Sequence, residues 1–382
     1  MEERYKELDS LRGLAALFVV IGHHFMIFSV YENYHYEENG PFLIFLLKET
    51  PARIIFSSGN ESVVFFFILS GFVLYKSIYS SQLSYCVYFL KRFCRIYIPY
   101  VVALFAAIIC QFMFSDYGIS SLSQWFNKSW TTVSSPTLIL QHLLFIGVYN
   151  TDAYNNVIWS LVHEMRISII FPVLLIFFFR NTFRYSVILL FSVNLVSIGC
   201  LILFHSTLTI TSYTMTLHYS VLFLLGALLA KYKDQLTMYY SKKSAFIKFI
   251  LFTIAIILYL YEGIIGEYPL LNNFLFRNYV VSLGACMFII LSMSSSFFSL
   301  FLSHKYFNYL GKISYSLYLY HAISLFSFIY IFYGQLPVGV ILFISFLFSF
   351  IIASLAYVFI EKPITAVGNY ITKGTKQYRK SI

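Results

Sequence analysis

The first long apolar run of the chain reads Leu11-Arg12-Gly13-Leu14-Ala15-Ala16-Leu17-Phe18-Val19-Val20-Ile21-Gly22-His23-His24. Apolar side chains fill it apart from one arginine near its start and two histidines near its end. About 20 such residues, rising about 1.5 Å each in a helix, cross a hydrocarbon layer of about 30 Å. We therefore predict a membrane-spanning helix over 11–30.

The same pattern continues through the 382 residues, of which 59% are hydrophobic and 11% charged. Soluble domains carry about a quarter charged residues, so a soluble core is excluded. We predict an all-α, polytopic membrane helical bundle of about ten spans, forming a single membrane domain over 1–382 with no appended soluble domain. The predicted spans are 11–30, 62–79, 96–114, 157–179, 185–204, 214–230, 248–262, 279–295, 313–333 and 338–360. The apolar segment 138–149 is too short to cross and is expected to be interfacial or re-entrant.

Basic residues predict the orientation, because Lys and Arg are retained on the cytoplasmic side during insertion. With ten spans, the outer segments hold only Lys48, Arg53, Lys128 and Arg277, and Arg166 lies inside a span; the rest of the 26 Lys and Arg are cytoplasmic. Both termini are therefore expected in the cytoplasm. The two longest outer segments are 31–61 and 115–156, which could shape an external acceptor cleft or be plain surface loops. The net charge of +10 indicates topology, and no nucleic-acid partner is expected. The start of the chain does not resemble a cleaved signal peptide, so the first run should be a retained span.

The five cysteines fall in predicted spans or on the cytoplasmic side, and their spacing indicates neither disulfides nor a metal site. We expect no metal and no bound cofactor.

Ionisable residues within spans are costly and often mark sites. Those in this chain are His23, His24, His163, Glu164, Arg166, His218 and His321.

Arg12 and His23 are eleven positions apart, which on a helix brings them to within about 20° of one direction with a rise of about 16.5 Å. Both are expected to face one groove, with Arg12 at the cytoplasmic mouth and His23 deeper. The alternative is that Arg12 is a positive-inside anchor and His23 a hydrogen-bonded core histidine. His24 points about 100° away and is the weaker candidate.

Two further groups are candidates. Arg92 and Arg95, just before the third predicted span, share a helix face and could bind phosphates bidentately, or could merely orient the span. Glu164, at the outer end of the fourth span, needs a polar partner at membrane depth. Ser160 lies on its face, whereas Arg166 points away. Glu164 could orient a histidine or bind an acceptor hydroxyl, or could be a structural carboxylate. Trp159 could border the site or belong to an interfacial aromatic belt.

The other candidate cavity residues lie in two spans. Ser70, beside Gly71, is small enough to admit a neighbouring helix, and packing is its expected role. Tyr315 and His321 belong to a hydroxyl-rich run, Ser314-Tyr315-Ser316-Leu317-Tyr318-Leu319-Tyr320-His321. His321 could border the cavity or be a satisfied core histidine.

In order along the chain, these stretches resemble acyltransferase family three, whose members are integral membrane enzymes. Leu8 to Gly13 running to His24 is similar to the family's first-span signature, an Arg and a His separated by ten residues. Later stretches resemble later family blocks: Phe66–Phe72, the Arg92 and Arg95 pair, Trp159 to Glu164, Gly311–His321, and Tyr357 with Glu361, Lys362 and Pro363.

The resemblance implies an acyl-coenzyme A donor, acetyl-CoA above all, and a glycan or lipid-linked glycan acceptor at the bacterial cytoplasmic (inner) membrane. Arg12, Arg92 and Arg95 would bind the donor, and His23 with Glu164 would be catalytic. A histidine can act as general base or be acylated itself, and both routes stay open. Modification of a small glycoside on the cytoplasmic side is the other acceptor option.

The chain departs from the family pattern at one position, and two other functions are alternatives. Val64 stands where many sugar-acylating members carry an acid, so no role of that acid is transferred. Ten spans with buried ionisable residues also suit a transporter or flippase of a lipid-linked sugar. No inverted repeat is evident, which disfavours that reading. A glycan polymerase fits poorly with so few outer basic residues.

Overall fold

The computed structural model describes residues 5–33, 52–56, 59–81, 84–115, 118–179, 183–203, 208–261 and 273–370. Within these ranges the chain is helical, and its β structure is limited to a single bridge between Tyr333 and Leu336. The prediction of an all-α polytopic membrane bundle is confirmed. Most of the predicted outer segment 31–61, namely 34–51 and 57–58, lies outside the described residues.

Each predicted span overlaps one long helix. These helices are α1 (Lys6–Phe25), α4 (Gly59–Ser81), α5 (Tyr85–Phe114), α8 (Ile158–Phe179), α9 (Phe183–Leu203), α10 (Leu208–Ser241), α11 (Ala245–Tyr259), α12 (Phe274–Ser294), α14 (Lys305–Phe332) and α15 (Val338–Ala356). Five short helices join them: α2 (Ser29–Asn33), α3 (Arg53–Phe56), α6 (Gln124–Asn127), α7 (Pro136–Leu144) and α13 (Ser296–Leu302). A π-helical turn, Tyr357–Glu361, follows α15.

Eight helices are long and apolar enough to cross a membrane by their length and composition. The two others are α1, whose first turns carry Lys6, Glu7, Asp9 and Arg12, and α11, which has only 15 residues. The chain is an integral membrane protein. The segment predicted as interfacial holds α7, a helix of nine residues that is too short to cross.

Several helices differ in length from the predicted spans. The first helix ends at Phe25 and is followed by a turn, so 26–30 do not belong to it. Helix α5 begins at Tyr85, far before the predicted residue 96, and α10 extends beyond 214–230 on both sides. In each extension, polar and basic residues continue the helix, because these residue types have good or neutral helix propensity. Hydropathy marks only the apolar part of a helix.

The chain divides into two compact units. Unit 1 comprises Met1–Gly22, His35–Ser81 and Ile170–Lys312, and unit 2 comprises His23–Tyr34, Gln82–Ile169 and Ile313–Ile382. In unit 1, α4 and α10 touch backbone to backbone at two glycines. A Cβ at Gly71 would overlap the carbonyl of Phe223, and one at Gly226 would overlap the carbonyl of Ile68. The close approach predicted at Gly71 is confirmed.

The start of α1 is fixed within unit 1. Gly13 lies against the backbone of Gly311, where added side chains would clash. Ser10 Oγ donates to the Leu302 carbonyl at 2.7 Å, and Ser299 Oγ donates to Glu7 Oε1 at 2.7 Å. Helix α1 is therefore anchored over its N-terminal half, the part that also contains Arg12.

In unit 2, the predicted outer segment 115–156 is folded onto buried aromatic side chains. Trp130 is 2% exposed, donates from Nε1 to the Tyr154 carbonyl at 2.8 Å and stacks on Tyr330. Its φ of 61° is rare for a bulky residue. Asn127 Nδ2 donates to the carbonyls of Ile119, Leu122 and Ser123 and so fixes the turn around α6.

Candidate functional site

Two histidines of unit 2 meet side by side. His23 Nδ1, near the end of α1, lies 2.9 Å from His321 Nε2 on α14. His321 is fully buried, and its Nδ1 lies 3.0 Å from the Leu317 carbonyl. His23 remains partly exposed. The pair thus consists of one partly exposed ring, His23, and one fully buried ring, His321.

His24 is placed differently from its neighbour. It is 5% exposed, its Nε2 lies 3.2 Å from Ser345 Oγ, and its ring packs edge-on against Phe346. A buried ring with a hydroxyl partner is poorly placed to meet a substrate. Of the two first-span histidines, the structure makes His23 the accessible one.

Trp125 contacts His23 from the outer segment. Its ring centroid lies 4.8 Å from that of His23 and 5.8 Å from that of Phe326. Trp125 sits on α6, which begins at the cap residue Ser123, whose Oγ accepts from the Phe126 amide at 3.2 Å. This outer segment was expected to shape an acceptor cleft or to be a plain surface loop, and Trp125 was not among the predicted site residues. A tryptophan within a polar outer segment was the available signal.

A second cluster of unit 2 joins α5 and α8. Arg92 Nη2 lies 2.9 Å from Glu164 Oε1 and donates to Ser168 Oγ at 2.9 Å. The exposed fractions of the two charged side chains are 10% and 19%. Tyr88 adds a hydrogen bond from its hydroxyl to the Ser168 carbonyl at 2.8 Å. The cluster is a largely enclosed ion pair with neutral hydrogen-bonding neighbours.

This ion pair corrects two predictions. Arg92 was placed at the cytoplasmic end of a span and Glu164 at the outer end of another, yet residues in contact cannot lie at opposite membrane faces. The error follows from the early start of α5, which puts Arg92 two helical turns inside the helix. Ser160 was expected to be the partner of Glu164, but its hydroxyl bonds Tyr318 at 2.7 Å and the Val157 carbonyl at 3.1 Å.

One face of α14 connects the histidine pair with the ion pair. Tyr315, Tyr318 and His321 recur at three-residue spacing and so share a face. The Tyr318 ring lies 6.0 Å from that of His321, and its hydroxyl bonds that of Ser160, one helical turn before Glu164 on α8. Tyr315 donates from its hydroxyl to the Ile96 carbonyl at 2.7 Å, one helical turn after Arg92 on α5. The hydroxyl-rich run is therefore the wall that both clusters share.

Glu361 also borders this wall. Its Oε2 accepts from Ser316 Oγ at 2.7 Å, and it lies on the π-helical turn after α15. Such turns often occur at functional sites. Glu361 belongs to a stretch that resembles a family block, but no role was predicted for it.

The remaining candidates are distributed between the units. Arg12 belongs to unit 1 and pairs with Asp9 at 3.1 Å. Ser70 also lies in unit 1, beside the packing glycine Gly71. Arg95 is exposed, unlike Arg92. Trp159 packs edge-on against His163, with ring centroids 6.2 Å apart.

In unit 1, His218 Nδ1 lies 3.0 Å from the Tyr279 hydroxyl and Nε2 lies 3.2 Å from Asn278 Nδ2, so its ring is used in a polar contact between helices. Among the described residues, no group of three or more His, Cys, Asp or Glu could hold a metal ion.

Comparison with known proteins supplies the family. A family model described as an acyltransferase domain matches residues 5–359. The chain is 27% identical over 354 residues to the O-acetyltransferase OatA of Staphylococcus aureus strain MRSA252, covering 85% of this chain and 56% of the relative. It is 28% identical over 336 residues to OatA of strain NCTC 8325 / PS 47, covering 82% and 53%. The chain thus spans about half the length of these curated relatives. No solved structure matches the chain at a significant level.

Proposed function

Because the chain belongs to the acyltransferase-domain family, we propose that it is a membrane-embedded O-acetyltransferase that moves an acetyl group from acetyl-CoA to a glycan hydroxyl. The observation that carries this proposal is the His23 ring, partly exposed and hydrogen-bonded at 2.9 Å to the buried His321. A histidine that is accessible on one side and held on the other suits a general base or nucleophile. The similarity to two proteins named O-acetyltransferase supports the acetyl group.

The proposed transfer needs one base and no bound cofactor. As general base, His23 accepts the proton of the acceptor hydroxyl while the oxygen attacks the thioester carbonyl. The C–O bond forms, the C–S bond breaks, and the proton passes to the departing thiolate to give free coenzyme A. In the alternative route His23 attacks the thioester itself and then passes the acetyl group on.

The donor would be held by basic side chains. Arg95 is exposed and offers a planar guanidinium suited to phosphate. Arg12, whose pairing with Asp9 leaves its side chain 19% exposed, is the other candidate. Arg92 is bonded to Glu164 and Ser168, so its proposed part is to hold the wall next to Arg95 and keep the Glu164 carboxylate oriented.

The acceptor would approach beside Trp125. This residue contacts His23 from the outer segment and is itself partly exposed. Aromatic rings provide flat apolar surface on which a sugar ring can stack while its hydroxyls stay free. We therefore propose a cell-surface glycan, or its lipid-linked precursor, at the outer face of a bacterial cytoplasmic membrane. Glu164 and Tyr318 are the polar groups proposed to orient it.

The test is a transfer assay with purified protein. Protein reconstituted in vesicles receives acetyl-CoA labelled in its acetyl group and a glycan fraction from the source cells. The proposal expects labelled glycan and release of coenzyme A in equal amounts. Movement of unmodified lipid-linked sugar across the vesicle membrane, without any acetylated product, would instead establish the flippase reading and overturn this one.

A further inference from the structure

The hydrogen bonds of His321 define which of its nitrogens carries the hydrogen. Nδ1 lies 3.0 Å from the Leu317 carbonyl, one helical turn earlier on α14. A carbonyl oxygen can only accept, so Nδ1 must be the donor. A second hydrogen on Nε2 would make the ring a cation, and a fully buried cation in a membrane-spanning helix is costly. His321 is therefore neutral, and its Nε2 presents a lone pair.

That lone pair sets the state of the neighbouring ring. His23 Nδ1 is 2.9 Å from His321 Nε2, so it must donate the hydrogen of this bond. In neutral His23 the other nitrogen, Nε2, is then unprotonated. The accessible histidine would otherwise exchange between two tautomers, and the buried one removes that freedom.

We propose that His321 is a positioning residue that holds His23 in the tautomer whose Nε2 is the reactive nitrogen. The inference rests on the proposed function and deepens it. The arrangement has the logic of a catalytic triad, in which a buried acceptor on one imidazole nitrogen leaves the other ready to take a proton. Here the acceptor is an imidazole that is itself fixed by a backbone carbonyl.

The pair also accounts for the charge that develops during transfer. When His23 Nε2 takes the hydroxyl proton, His23 becomes an imidazolium, and its bond to His321 Nε2 becomes charge-assisted and stronger. The proton leaves again from Nε2 to the coenzyme A thiolate, so His23 returns to its starting tautomer. His321 keeps its own Nδ1 hydrogen throughout.

Two substitutions separate positioning from structural support. In His321→Gln, an amide oxygen can replace Nε2 as the acceptor of the hydrogen bond from His23 Nδ1. In His321→Leu, no acceptor is left. We expect His321→Leu to lower kcat by about 10²-fold, because His23 loses both its enforced tautomer and the charge-assisted hydrogen bond that stabilises its imidazolium, with the KM for acetyl-CoA unchanged. His321→Gln should restore kcat to within about tenfold of the wild type. His142→Gln is the matched control, since His142 is equally buried in unit 2 and bonded to the Asn150 carbonyl.

Nitrogen NMR of protein labelled in its histidine rings reads the tautomer directly and needs no enzymatic activity. The expected spectrum shows His23 with a protonated Nδ1 and an unprotonated Nε2, and His321→Leu shifts it to a mixture of tautomers. An unprotonated Nδ1 in wild-type His23, or a His321→Leu variant with unchanged kcat, would overturn the inference. If the wild type transfers no acetyl group at all, the proposed function fails while the spectrum still decides the tautomer.

Discussion

The ion pair of Arg92 and Glu164 allows a prediction at the scale of single residues. Each charge is largely removed from water and bonded to the other at 2.9 Å. Removing one partner of a fully buried pair costs about 3–5 kcal/mol, and the cost is smaller here because the Glu164 side chain is 19% exposed. We expect Arg92→Gln and Glu164→Gln each to lower the melting temperature of the detergent-solubilised protein.

The double variant is the control for that prediction. Arg92→Gln combined with Glu164→Gln leaves two neutral amides that can bond each other, so it should cost less than the sum of the single changes. Strict additivity of the three melting shifts would show that the two side chains do not interact.

His142 links stability to pH. It lies on the short helix α7, outside the membrane-spanning helices, and is fully buried. Burial lowers its pKa to about 4. The unfolded chain, with a pKa near 6.5, therefore binds a proton first as the pH falls. The free energy of unfolding is therefore unaffected by His142 titration above about pH 6.5. It falls progressively between about pH 6.5 and pH 4, by about 3 kcal/mol in all.

The measurement is a series of melting curves between pH 7.5 and pH 4, chosen to bracket those two pKa values. In His142→Gln the amide can still donate to the Asn150 carbonyl but cannot titrate. We expect this variant to lose less stability in acid than the wild type. Parallel pH profiles for the two proteins would assign the acid sensitivity to other groups.

Single residues also show which features of the site can be predicted from the sequence. His23, His321 and Glu164 could be identified as candidates in advance, since ionisable groups within apolar helices are few. Arg92 was a candidate for another reason, its place in a basic pair before a predicted span. Their pairing could not be predicted, because helical periodicity gives the direction of a side chain around its own helix and nothing about the neighbouring helix. Trp125 was missed because 21% of the residues in this chain are aromatic. An aromatic side chain in a loop therefore does not by itself mark a site.

At the scale of helices, the crossing of α4 and α10 in unit 1 depends on two glycines. A methyl group at Gly71 or Gly226 would overlap a carbonyl oxygen of the facing helix. Small residues at such crossings allow the close packing that holds membrane helices together. We expect Gly71→Ala and Gly226→Ala to destabilise the protein by about 1–3 kcal/mol, the usual cost of overpacking.

Gly199→Ala is the matched control for these changes. Gly199 lies inside α9, and an added Cβ would meet nothing within 4 Å. Alanine has the higher helix propensity, so this variant should melt at or above the wild-type temperature. Equal loss of stability in all three variants would contradict the role of the α4–α10 crossing.

The helices also show why the existence of elements was easier to predict than their ends. All ten apolar runs correspond to helices, since a polypeptide in lipid must satisfy its backbone groups internally. The ends follow other rules. Helix α5 continues through a basic stretch because lysine and arginine favour helices, and that continuation carries Arg92 to the depth of Glu164.

For the whole molecule, the distribution of basic residues predicts which surfaces face the cytoplasm. Val133, in the outer segment, is 87% exposed, and Lys242, between α10 and α11, is also exposed. In a variant with its five cysteines replaced by serine, Val133→Cys should react with a membrane-impermeant maleimide in intact cells. Lys242→Cys should react only after the membrane is opened. The reverse pattern would invert the predicted topology.

For the molecule as a whole, the proposed acetyl transfer depends most on His23. The decisive measurement is acetyl transfer from acetyl-CoA to glycan by purified, reconstituted wild-type protein and its His23→Ala variant, with His142→Gln as a folded comparison. We predict that His23→Ala elutes as a single folded species yet transfers no acetyl group, while His142→Gln remains active at neutral pH. Undiminished transfer by a well-folded His23→Ala protein would contradict the account.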